Sequence, residues 1–473
     1  MIKYSAFTLG FHIKILEPMH GNTKLIFIVL NFALLFQFNL SFSQNTPTHF
    51  KSEIDFGSGT HFSTFLDVGM DKNQFTITSP KNADVRMFGG KAKLGRLLGK
   101  SPKKGIIITI KGLKVTDSLF GETSIPMFGK LKFKGAITDK ILTGEFISND
   151  TTSIGKLHGV NSLESRIDYS YLYPKIMETI QDNIYSKEVL ETKEWKKFNR
   201  DLEKLCNDIH DDIELFLGFN ILVQKLPFTH LNLFISEEVL DYSETEHAAI
   251  SVIFEEKNNT TAYLSIKNFS SSQEELAVVL PKIVENQNYK NLILDLRDNP
   301  GGGIDAAFEL AKYITDEDME VGYFLTNKLQ YSGYQPELFQ TLPAIQPKST
   351  KDFTDDLKTL PGVKLIFKKS DNDVFQGNLF VLTNRNTGST CEPIVYALKN
   401  NKKALIIGEK TYGGMLAACP FEVLGKYNIM LPIADFYTYD GIRLDKVGVD
   451  PDIDVQSEDA LNKALEIING NNQ

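Results

Sequence analysis

From about residue 248 onward, short apolar runs alternate with stretches of helical period, and this alternation constrains the fold more than any other feature of the chain. Thr261–Ile266 and Leu292–Leu296 read as strands, and the second is apolar without interruption, as a strand covered on both faces must be. Leu379–Thr383 and Ala404–Ile407 are further apolar runs, while Glu274 to Val284, Ile304 to Ile314 and Pro393 to Lys399 carry helical spacing. Strand–helix alternation of this kind predicts an α/β core with a largely parallel sheet over residues 248–456. Within it, residues 320–376 have weak periodicity and read as an insertion, the sort of segment that forms a lid or a substrate wall. Residues 457–473 are expected as a C-terminal helix and tail.

The preceding chain has other periods. Residues 49–162 hold short alternating runs such as Phe75–Thr78 and Leu131–Gly135, separated by Gly, Asp and Asn, which predicts an all-β domain. Residues 165–247 repeat Leu172, Ile176, Ile180 and Ile184, then Leu202, Leu205, Ile209 and Ile213, the spacing of a small helical bundle. The lone Trp195 is expected in its core. The fold class is therefore α+β and multidomain.

Residues 25–42 read LIFIVLNFALLFQFNLSF after Lys24, and Ser41 and Ser43 follow at the end of the run. This is the pattern of a secretory signal over residues 1–43, cleaved after Ser43, with Met19 as an alternative start. A membrane anchor would place Asn31, Gln37 and Asn39 in lipid. An exported location, periplasmic, envelope-associated or extracellular, is expected.

Charge and cysteines narrow the chemistry. The formal net charge is -9 and no Lys/Arg-dense block occurs, so the basic stripe that nucleic acid requires is missing. Cys206, Cys391 and Cys419 have no regular spacing, and no HExxH, CxxC pair or EF-hand loop is present. No metal site and no cofactor are expected.

Two motifs carry chemistry. In Asp295-Leu296-Arg297-Asp298-Asn299-Pro300-Gly301-Gly302-Gly303, a buried strand ends in a charged turn and three glycines open a helix. Such a turn brings backbone N–H groups close to a ligand, and the Gly-Lys-Ser/Thr ending of a phosphate loop is missing. In Thr387-Gly388-Ser389-Thr390-Cys391-Glu392-Pro393, Ser389 sits where strand becomes helix. Read alone, these residues leave open whether Ser389 is a nucleophile at a helix N-terminus or merely a helix cap. Cys391 is a second candidate nucleophile, although a free cysteine is more often a small buried residue.

The ordered runs LILDLRDNPGGG, VLTNRNTGSTCE and IIGEKTYGG resemble the core of the carboxyl-terminal-processing, or tail-specific, serine peptidases, over about residues 165–456. The resemblance implies a crotonase/Clp-like protease core acting on peptides or unfolded proteins, with Ser389 as nucleophile and oxyanion donors at Gly302 and Thr390. Gly301, Asn299, Arg297 and Glu392 fall in the same motifs and are implied as substrate-binding residues or structural support. The lysine that many members use as base falls on Gly414, and Lys410 matches another position. A tricorn-core-like branch uses Ser–His–acid instead. Its histidine matches His230 in Leu226-Pro227-Phe228-Thr229-His230-Leu231, and its acid matches Asp445, where many relatives have Glu. The other seven histidines lie before residue 62, at His158, on a polar helix at His210, or among acids at His247. Only about thirty residues separate His230 from the Thr261 strand, too few for the PDZ module of tail-specific proteases. A catalytically inactive relative that binds or scaffolds is the alternative the missing lysine supports.

Overall fold

The computed structural model describes residues 47–57, 60–79, 108–125, 129–148, 152–235, 251–270, 272–347 and 349–470. The expected signal segment and His247 lie outside them.

The first eight strands are β1 (Thr48–Asp55), β2 (His61–Asp71), β3 (Gln74–Thr78), β4 (Thr109–Val115), β5 (Ser118–Ile125), β6 (Gly129–Ile137), β7 (Ile141–Ile147) and β8 (Ser153–Asn161). Each runs antiparallel to the next, and β8 closes back on β1 to form a barrel. The sequence predicts alternating strands; closure removes the two free edges such a sheet would otherwise expose. Phe50, Phe75, Phe133 and Phe146 fill the interior with aliphatic neighbours.

Helices follow at Leu172–Asn183, Lys193–Asp208 and Asp212–Val223. Their apolar faces form one core, in which Trp195 packs on Phe198 and Phe228 at centroid distances of 5.1 and 6.4 Å. Asp212 ties this layer to its neighbours: fully buried, it accepts from Ser63 N of the barrel, Tyr169 Oη, Tyr427 Oη and Lys426 Nζ. A carboxylate taken out of water needs this many donors.

The remaining strands are β9 (Asn232–Ile235), β10 (Val252–Asn258), β11 (Thr261–Ile266), β12 (Asn291–Asp295), β13 (Met319–Thr326), β14 (Ala344–Ile345), β15 (Gly362–Phe367), β16 (Asn378–Thr383), β17 (Ala404–Gly408), β18 (Leu416–Leu424), β19 (Tyr427–Thr438) and β20 (Ile453–Asp454). One sheet has the order β10-β11-β12-β16-β17-β20 and is parallel except at β10. All five residues of β12 are buried because helices cover both faces. Helices Gln273–Glu285, Ile304–Ile314 and Cys391–Asn400 lie on one side, and Ala460–Gly470 covers the other.

A second sheet, β14-β15-β13-β19-β18 with β9 added to β19, packs across the first helix layer. Residues 320–376, read from sequence as an irregular insertion, supply most of β13, all of β14 and β15, and the helix Thr350–Thr359. In β13 seven of eight residues are buried, so it lacks the alternation that marks a strand in sequence. No helix among the described residues is long and apolar enough to cross a membrane.

Candidate active site

Because β12, β16 and β17 are parallel neighbours, the loops that follow them leave the same edge of the sheet, where open α/β sheets place their sites. Asn299 joins the first two loops. Its Nδ2 donates to Ile266 O at 3.0 Å, its Oδ1 accepts from Gly301 N at 2.9 Å, and its backbone O accepts from Gly388 N at 3.0 Å. Asp298 adds two bonds of 2.8 Å from the Nδ2 groups of Asn384 and Asn386, which hold its carboxyl below the usual range. Arg297 turns its guanidinium to Asp295 and to Ser457 O.

Ser389 stands at the turn before the helix Cys391–Asn400 with φ 52°, a left-handed conformation that costs free energy in a non-glycine residue. The helix has Thr390 as its N-cap residue and no side-chain cap bond, so the Ser389 hydroxyl does not cap it. The Ser389 backbone N donates instead to Glu392 Oε2 at 3.2 Å. Gly301, at φ 101°, passes so close that a Cβ there would sit 2.6 Å from Ser389 Cβ and 2.9 Å from Thr390 N. Gly302 also has no room, since its Cβ would meet Ser270 N at 2.3 Å. Thr390 Oγ1 donates to Gly302 O at 2.7 Å, locking these two residues together. Cys391, by contrast, is fully buried, and burial drives its thiol far above the ordinary range.

Glu392 is buried and receives four donors. Thr411 Oγ1 and Gly413 N bond Oε1 at 2.6 and 2.7 Å, and Gly414 N bonds Oε2 at 2.8 Å beside Ser389 N. Burial raises its carboxyl, and the four donors oppose that rise. Glu392 thus holds the Ser389 turn to the loop after β17. That loop in turn holds the Asp445 segment: Gly413 O accepts from Lys446 N at 2.7 Å, and Thr411 N donates to Val449 O at 3.0 Å.

His230 enters from the other side, with φ 65°. Its Nδ1 lies 2.7 Å from Thr229 Oγ1, and the same hydroxyl donates to Asp445 Oδ1. His230 and Asp445 are joined through Thr229, not by a direct hydrogen bond. A Cβ built on Gly414, the position matching the family lysine, would be 3.7 Å from His230 Cε1. Burial holds His230 below the ordinary histidine range, with Asp445 opposing and Lys446 adding to the shift. Asp445 is 1% exposed; its Oδ2 has no hydrogen bond but lies 3.6 Å from Arg443 Nη2. Arg443 is itself anchored on Asp435 and Tyr185.

No hydrogen bond joins Ser389 to His230. Lys410, the nearby cation, is paired with Asp450 at 3.1 Å. Thr229 is the site residue that sequence reading passed over, and its only signal was its place directly before His230. Among the described residues, no group of three or more His, Cys, Asp or Glu side chains is arranged to hold a metal ion.

The site thus combines a serine turn with an imidazole and a buried acid joined through a hydroxyl. Residues 260–455 match the model of peptidase family S41. Carboxyl-terminal-processing peptidase 1, chloroplastic, of Arabidopsis thaliana is 27% identical over 206 residues, 43% of this chain and 36% of that protein. The carboxyl-terminal-processing protease of Picosynechococcus sp. is 26% identical over 206 residues, 43% of this chain and 41% of that one. This chain therefore spans well under half the length of either relative. Among solved structures, the photosystem II D1 C-terminal processing protease gives a TM-score of 0.40 at 15% identity, covering 62% of this chain and 94% of that one. Tricorn protease gives 0.40 at 11% identity, covering 84% and 45%.

Proposed function

We propose that this chain is an exported serine endopeptidase acting on peptides or unfolded proteins through Ser389, His230 and Asp445, with Thr229 between the last two. The observation that carries this reading is the relay from His230 Nδ1 through Thr229 Oγ1 to Asp445 Oδ1. A carboxylate only accepts, so the single hydroxyl proton of Thr229 goes to Asp445 and its oxygen accepts from Nδ1–H. That tautomer leaves Nε2 unprotonated, as a general base needs.

Ser389 Oγ then bonds the peptide carbonyl carbon while its proton passes to Nε2. The carbonyl oxygen becomes an anion held by Gly302 N and Thr390 N, each such donor contributing ~3 kcal/mol. Collapse breaks the C–N bond, the imidazolium gives its proton to the leaving amine, and water repeats the sequence to release the acyl group. The residue 25–42 apolar run supports export. N-terminal sequencing of the mature chain tests it, and a start after Ser43 is expected.

The activity test is fluorophosphonate labelling and turnover of unfolded protein by wild type, Ser389→Ala and His230→Ala. Both variants are expected to lose both signals; wild-type turnover in the pair overturns the assignment. The second reading, an inactive family member that binds or scaffolds, is favoured by one observation, the missing bond between Ser389 and His230. Sites without substrate often show such loose geometry. Wild-type protein that neither labels nor cleaves selects the inactive reading.

A further inference from the structure

Tyr412 is 67% exposed beside this site, a costly position for a large aromatic ring. Its backbone is held firmly: Tyr412 N donates to Thr387 O at 2.8 Å, and its neighbours Thr411 and Gly413 both bond Glu392. The side chain lies along two glycines. A Cβ on Gly388, the residue before Ser389, would be 3.3 Å from Tyr412 Cβ. A Cβ on Gly414 would be 2.7 Å from ring atom Cδ1, and 3.7 Å from His230 Cε1. The ring therefore stands between the residue preceding the nucleophile and the glycine facing the base. Val447, 49% exposed, follows Lys446, whose N bonds Gly413 O at 2.7 Å, so a second apolar side chain lies on the adjoining backbone.

We propose that Tyr412 selects the substrate: its ring, with Val447, forms an apolar rim that takes an aromatic or branched aliphatic side chain next to the scissile bond. The inference rests on the peptidase reading above and adds the class of residue preferred. Covering the ring with a substrate side chain removes apolar surface from water on both partners, which an acidic or glycyl residue there cannot do. An aromatic ring held on a firmly bonded loop loses little conformational freedom when it is covered, so the contact favours binding. Because the contact is made with substrate and transition state alike, it acts on KM rather than kcat.

The test uses full-length wild type, Tyr412→Ala and Tyr412→Phe. Cleavage sites in unfolded protein are mapped by mass spectrometry, and kinetics are measured on paired peptides with Leu/Phe or Asp/Gly at each position flanking the cleaved bond. Tyr412→Ala is expected to raise KM about tenfold for the apolar peptides, to leave the Asp/Gly peptides near wild type, and to flatten the site map. Tyr412→Phe, which keeps the ring, should retain the wild-type map. An unchanged map and KM within twofold in Tyr412→Ala overturns the proposal while the peptidase reading stands. Wild type that neither cleaves nor is labelled at Ser389 by a fluorophosphonate overturns both.

Discussion

Gly414 and His230 face one another, with a Cβ built on Gly414 only 3.7 Å from the imidazole Cε1. On the resemblance to tail-specific peptidases, this is the position where many members carry a lysine base, and here it borders the imidazole. Gly414→Lys is expected to lower kcat at least about tenfold rather than restore a lysine mechanism, because its side chain would crowd the His230 ring, whose Cε1 is 3.7 Å from that Cβ. Equal or higher turnover in Gly414→Lys contradicts this, and steady-state kinetics on one peptide decide it.

Thr229 links His230 and Asp445 through one hydroxyl. Thr229→Val keeps the shape and removes the link, leaving Asp445 with neither oxygen hydrogen-bonded. A bond to a charged group is worth about 1.5–3 kcal/mol, so kcat should fall roughly 10- to 100-fold. Thr229→Ser keeps the hydroxyl and should hold most of the rate. A valine variant as fast as the serine one removes Thr229 from the mechanism.

The pH profile follows from the His230 environment. Burial holds its folded pKa below the ordinary value of 6.5, so the neutral base persists on acidification past that value. The acidic limb of kcat/KM should lie below pH 6.5, and Asp445→Asn should move it lower still, since Asp445 raises the pKa. Stability has the same sign. Between the unfolded value and the lower folded one, the unfolded chain binds more protons, so this contribution is full above pH 6.5 and lost as pH falls through the window. An acidic limb above pH 6.5 refutes this account of the imidazole.

Glu214 titrates in the opposite sense. It is 6% exposed, and burial, reinforced by Asp211, pushes its carboxyl to about 8. The folded state therefore holds a proton that the unfolded chain releases near the ordinary glutamate value of 4.5, and stability is lost as pH rises through about 8. Glu214→Gln stays neutral and can still accept from His210 N. Its Tm should exceed that of wild type at pH 9 and match it near pH 4. Thermal melts at the two pH values provide the check, and parallel curves reject it.

Much of the core was legible because its signals are local. The β12 run, its charged turn and the glycines lie within thirteen residues, and Gly301 must approach Ser389 Cβ at a φ that favours glycine. The strands of residues 319–367 were not legible, because sheet residues buried on both faces lose their alternation and β14 is only two residues long. The hydroxyl relay was illegible for a different reason: Thr229 and Asp445 are 216 positions apart.

Residue order along the chain was enough to mark a serine at a strand-to-helix turn and a glycine bend beside it. Those features depend on backbone conformation over a few residues, which side-chain type controls directly. Folding alone chose the partners. Glu392 gathers donors from two segments, and Asp445 reaches the imidazole only through a neighbour's hydroxyl, because buried carboxylates must find whatever donors the packed chain brings to them.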